Sequence, residues 1–137
     1  FWAICPSVKK CCRTRRTLIN LDTSFCSTTH IHGSHDIDAL SLIKGNKVTH
    51  YRFGVSWPRV IPQGRGEVNP AGVQYYKNLI AALKSVGIEP IVTLFHWNTP
   101  QALEDLGGWL NGDIIDDFAA FARVCFEEFG DDVSCEL

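Results

Sequence analysis

The sequence predicts an α/β protein in which parallel strands alternate with helices. Three observations carry that prediction. Residues 90–95, Pro90-Ile91-Val92-Thr93-Leu94-Phe95, form an apolar, β-branched run too short for a free-standing helix, as expected of a strand buried on both faces. Residues 48–57 alternate: Thr49, Tyr51, Phe53, Val55 and Trp57 fall on one face, and His50, Arg52, Gly54 and Ser56 on the other. The segments around these two runs have apolar residues at helical spacing, with start and stop residues in the right places. The order is helix, strand, helix, strand, helix. Alternation with short connections implies parallel strands joined by right-handed crossovers.

Each element has its own warrant. Residues 36–45 read as a short helix, with Asp36 and Asp38 early, where the helix dipole favours acids, and Gly45 closing it. The 48–57 strand is ended by Pro58, and residues 61–68 form a Gly-rich loop. Arg52, on the less apolar face of that strand, needs an anion to compensate it if it is buried. Asn69-Pro70 starts the next helix, Asn as cap and Pro at the first helical position. Its stripe is Val73, Tyr76, Ile80 and Leu83, widened by Leu79 and Val86, and Gly87 stops it. The 90–95 strand then runs into His96-Trp97-Asn98 and stops at Thr99-Pro100. A strand whose carboxyl end carries a polar-aromatic cluster is where an α/β enzyme places its ligand groups. Residues 101–112 read as a loop, and a last helix covers 113–129 with Phe118, Phe121, Ala122, Cys125 and Phe129 inward. Two strands do not make a closed sheet, and both present unpaired edges.

Composition bounds the function. The chain has 137 residues, 45% hydrophobic and 20% charged, which places it among globular rather than disordered proteins. A net charge of -2 gives no electrostatic reason to expect nucleic acid as a partner, and no apolar run approaches a membrane span. The chain contains no Met and begins Phe1-Trp2, which points to a fragment. Its 6 cysteines match no paired zinc-ligand spacing.

Residues 1–34 differ from the rest. Lys9, Lys10, Arg13, Arg15 and Arg16 stand against a single acid, Asp22, and Cys5, Cys11, Cys12 and Cys26 cluster there. Without periodicity, this segment reads as a poorly ordered tail, separate from a domain over 35–137. His30, His32 and His35 could in principle share an ion, but no carboxylate or thiolate completes a recognised spacing, so we read a surface loop.

Residues of about 36–133 resemble glycoside hydrolase family 1, the β-glucosidase, lactase-like and klotho-like enzymes. The carriers are Tyr51-Arg52-Phe53-Gly54-Val55-Ser56-Trp57-Pro58-Arg59-Val60, Asn69-Pro70-Ala71-Gly72-Val73-Gln74-Tyr75-Tyr76, the run from Pro90 to Gln101, and Gly107-Gly108-Trp109. The joint match in order and spacing is specific. Asn98 stands where the family commonly has Asp.

The resemblance implies a partial (β/α)8 barrel, open and incomplete, from about the second strand to the third helix. It implies a fragment of a retaining β-glycosidase acting on β-glucosides or β-galactosides, with no metal or organic cofactor. By resemblance His96 would hydrogen-bond a sugar hydroxyl, Trp97 would pack on the sugar's C–H face, and Arg52 would support the nucleophilic Glu. Arg59 and Trp109 read as structural. A retaining glycosidase needs two carboxyl groups about 5–5.5 Å apart. Glu67, Glu89, Glu104 and Asp105 read as surface acids, so no catalytic residue is assigned and the chain alone is expected to be inactive. The alternative is a klotho-like, non-catalytic binding module. Family members occur both in the cytosol and as secreted or membrane-attached proteins, so the compartment stays open.

Overall fold

A computed structural model describes residues 18–20, 48–133 and 135–136. The helix expected over 36–45, the His30–His35 loop and the first four cysteines lie outside the described residues.

The elements, in order, are β1 (Leu18–Asn20), β2 (His50–Gly54), α1 (Trp57–Val60), α2 (Pro70–Ser85), β3 (Glu89–Thr93), α3 (Gln101–Glu104), a 3-10 turn (Gly108–Leu110), α4 (Ile114–Phe129) and β4 (Cys135–Glu136). The strands form one sheet in the order β1-β2-β3-β4, all parallel. Register pairs Arg52 with Ile91, Phe53 with Val92 and Gly54 with Thr93. From β2 to β4 the expected alternation of helix and parallel strand is therefore present.

Four features differ from the sequence reading. The sheet has four strands rather than two, and β1 lies inside the 1–34 segment, where three residues carry no readable periodicity. The 48–57 strand is shorter than expected: Ser56 turns the chain, and Trp57 opens α1 with Pro58 in its first turn. Proline is tolerated there because the amide it lacks would have no intrahelical partner. Thr49, expected on the apolar face, is exposed and exchanges a hydrogen bond with His50 Nδ1 at 2.9 Å. The 101–112 stretch contains α3 and a 3-10 turn, both too short for a periodic signal.

The core lies between one face of the sheet and the helices. Tyr51 and Phe53 of β2 and Val92 of β3 meet Val73, Tyr76, Ile80 and Leu83 of α2. Trp57 continues this core through α4, its ring stacked on Phe121 at 5.2 Å and its indole N–H donating to Gly64 O at 3.2 Å. The α2 cap is as the sequence requires: Asn69 Oδ1 accepts from Ala71 N at 3.2 Å, and Gly87 takes a φ of 77° after the last turn. Asn69 Nδ2 also donates to Arg59 O, tying the start of α2 to α1. Arg59 lies over the Tyr75 ring at 4.4 Å, a cation–π contact consistent with a structural role.

Candidate functional site

The candidate residues gather at the carboxyl ends of β2 and β3. Strand alternation puts Arg52 and Gly54 on the face opposite Tyr51 and Phe53, and the register places Ile91 and Thr93 beside them. Ile91 is buried yet lies outside the core cluster, in keeping with its place on this second face. Arg52 is half-buried, and its Nε–H donates to Thr93 Oγ1 at 2.8 Å.

Past Thr93 the chain leaves regular structure. Val55 N donates to Thr93 O at 2.9 Å, extending the β2–β3 pairing by one bond. Asn98 then joins the two strand ends. Its Nδ2 donates to Val55 O at 3.2 Å, and its Oδ1 accepts from His96 N at 3.4 Å. The amide uses a donor on one side and an acceptor on the other, which an ionised carboxylate could not do. Between these anchors Trp97 has a φ of 62°, the one non-glycine among the described residues in left-handed conformation. The residue is 87% exposed. His96 beside it is half-buried.

A large aromatic group held in a sparsely populated backbone conformation, and left bare to solvent, is costly twice over. Leu110 and Ile115 are also exposed, so what sets Trp97 apart is its backbone conformation together with its place directly after β3. An indole face suits the apolar C–H surface of a sugar, and an imidazole nitrogen can donate to or accept from a hydroxyl; the Nδ1 of His96 is itself buried. Trp109 supports the loop from behind. Its ring meets Phe95 edge-on at 5.0 Å, and its indole N–H donates to Thr99 Oγ1 at 3.1 Å.

The acids lie elsewhere. Glu67, Glu104 and Asp105 are exposed, and Glu89 begins β3, at the end away from Thr93. No carboxyl side chain belongs to the carboxyl ends of β2 and β3 or to the turns directly after them. Among the described residues no cluster of His, Cys, Asp and Glu could hold a metal ion, and no helix is long and apolar enough to cross a membrane.

Sequence reasoning missed two contributors. Thr93 is legible only as part of an apolar strand, and nothing in the sequence sets the register that brings it to Arg52. Asn98 reads in the sequence as part of the polar-aromatic cluster and as a departure from the family pattern; its bridge between the two strand ends is not legible there.

A parallel β/α sheet with polar and aromatic residues at its carboxyl edge defines the class: an α/β protein of the kind that carries its binding groups at the strand ends. The glycosyl hydrolase family 1 model matches residues 14–137, and the chain belongs to that family. The match begins within the 1–34 segment and takes in β1. β-Glucosidase 8 of Arabidopsis thaliana is 62% identical over 84 residues, covering 61% of this chain and 17% of the relative. Putative β-glucosidase 41 of the same plant is 51% identical over 117 residues, covering 82% of this chain and 21% of the relative. Among solved structures, the β-glucosidase of Thermotoga maritima in complex with methoxycarbonyl-substituted glucoimidazole superposes with a TM-score of 0.75 at 42% identity. That match covers 77% of this chain and 24% of the other. A rice β-glucosidase gives the same TM-score at 46% identity, covering 77% of this chain and 22% of the other. This chain thus spans about a fifth of the length of the relatives it matches.

Proposed function

We propose that this chain forms the sugar-gripping part of a retaining β-glycosidase site of β-glucosidase type, with β1 to β4 as four consecutive strands of a (β/α)8 barrel. The observation that carries the reading is the shared strand end: a tethered Arg52 on β2, and His96 with an exposed, left-handed Trp97 after β3. In this reading Trp97 packs on the pyranose face, His96 hydrogen-bonds a ring hydroxyl, and Arg52 holds a nucleophilic carboxylate ionised and oriented. The names of the relatives, β-glucosidases throughout, favour a glycosidase over a non-catalytic binding module.

Cleavage needs two facing carboxyl groups. The ends of β2 and β3 supply neither. We therefore infer that the 137-residue chain binds a β-glucoside weakly and does not hydrolyse it. Titration with a glucoimidazole, followed by NMR, is expected to move the Trp97 indole and His96 ring signals with a Kd of roughly 1 mM, the affinity of a few contacts. Trp97→Ala and His96→Ala should each remove the response. A chromogenic β-glucoside should remain intact. Turnover that disappears in His96→Ala would show that the reacting groups are here after all. Unmoved Trp97 and His96 signals at saturating ligand would end the sugar assignment.

A further inference from the structure

Arg52 carries a bond that the proposed reading does not require. A guanidinium has five N–H donors in a fixed plane: one on Nε and four on the two terminal nitrogens. The Nε–H is committed to Thr93 Oγ1 at 2.8 Å. Among the described residues, the terminal nitrogens have neither a hydrogen-bond nor an ion-pair partner. Thr93 is itself only 7% exposed, on a buried strand, and its β-branched side chain is stiff at χ1, which limits how far the hydroxyl can follow the arginine. Gly54 stands opposite Thr93 in the register and two residues beyond Arg52 on the same face.

This arrangement limits how an anion can meet Arg52. A carboxylate can dock side-on, across Nε and one terminal nitrogen, or end-on, across the two terminal nitrogens. With Nε occupied, only the end-on approach keeps two charge-assisted hydrogen bonds. We propose that Thr93 is a positioning residue: it fixes the plane of the Arg52 guanidinium, so that the site takes a carboxylate end-on, through the terminal nitrogens alone. The proposal rests on the reading of Arg52 as a carboxylate holder and adds the group that sets its geometry. A β-branched residue at 93 packs as well with a methyl in place of the hydroxyl. The hydroxyl, rather than the shape, is what the position contributes.

The test is nitrogen-15 NMR of the 137-residue chain and its Thr93→Val and Thr93→Ser variants. The side-chain Nε–H of Arg52 is followed, and that of the exposed Arg123 serves as an internal standard. The Arg52 Nε–H of the natural chain should exchange with solvent roughly tenfold more slowly than that of Arg123, the factor one net hydrogen bond provides. Thr93→Ser should keep the protection. Thr93→Val should lose it while the β2 and β3 amides stay as they were. Sodium acetate should then move the terminal N–H signals of Arg52 and leave Nε–H in place, in the natural and Ser chains. In the Val chain all of them should move together. Equal exchange of Arg52 and Arg123 in the natural chain overturns the proposal, whether or not the Val variant folds. So does acetate that shifts Nε–H as far as the terminal groups. Neither result touches the sugar assignment, which stands or falls on the Trp97 and His96 response to glucoimidazole.

Discussion

Trp97 sets two demands against each other. A left-handed backbone costs an L-residue about 1–2 kcal/mol, a cost glycine escapes. At 87% exposure the indole recovers almost none of this by burial. The conformation persists because Asn98 fastens the chain on both sides, to His96 N and Val55 O. Trp97→Gly is therefore expected to leave stability unchanged or raise it by up to about 1 kcal/mol, the relief being partly offset by the freer unfolded chain. It should also abolish the response to glucoimidazole. Urea titration alongside the ligand titration checks both halves. A variant less stable by more than about 1 kcal/mol would mean that the indole packs on the protein rather than waiting for a ligand. The site's legibility divides along the same line. His96 and Trp97 were visible because polar and aromatic residues interrupt an apolar strand. Thr93 and the Asn98 bridge were not, because their partners lie 41 and 43 residues away and no local spacing encodes such contacts.

Among the elements, α2 was the most readable and shows why. Cap, proline, stripe and terminal glycine all agree, and consistency across such signals is what a helix sequence can record. β1 shows the opposite case. Three residues paired to β2 are stabilised by the neighbouring strand, so little of their cause is in their own sequence. One residue of α2 departs from helix preference, and the structure explains it. Gly72 passes so close to α1 that a Cβ would overlap the Arg59 carbonyl oxygen. In an exposed helix Gly→Ala would add up to about 1 kcal/mol. Here backbone faces backbone and neither can swing aside, so overpacking of about 1–3 kcal/mol outweighs that gain. Gly72→Ala is expected to destabilise the chain by about 1–2 kcal/mol, read as an earlier midpoint in urea at unchanged slope. A stabilised variant would show that α1 is free to move away from α2.

At the scale of the whole chain, the balance between buried surface and chain entropy decides. Fixing each backbone residue costs roughly 1–2 kcal/mol, and a small structure buries a smaller share of its surface than a large one. The helices cover one face of this sheet; the face bearing Arg52, Ile91 and Thr93 is the one that the proposed barrel would turn inward. The sheet's outer strands, β1 and β4, are three and two residues long, which limits their use as templates for pairing but also the support they give β2 and β3. Surface ion pairs cannot make up the difference. Arg65–Asp117, Lys77–Glu128 and Lys84–Asp132 fasten α4 and the turns beside it, but exposed pairs of this kind contribute at most about 1 kcal/mol each. We expect the purified 137-residue chain to be folded but marginal, with an unfolding free energy of about 5 kcal/mol or less, at the bottom of the range for domains. Added salt should change this little. Urea unfolding followed by circular dichroism and tryptophan fluorescence checks it. A single steep transition at high denaturant, coincident in both signals, would mean that these residues form a self-sufficient domain rather than part of a closed barrel.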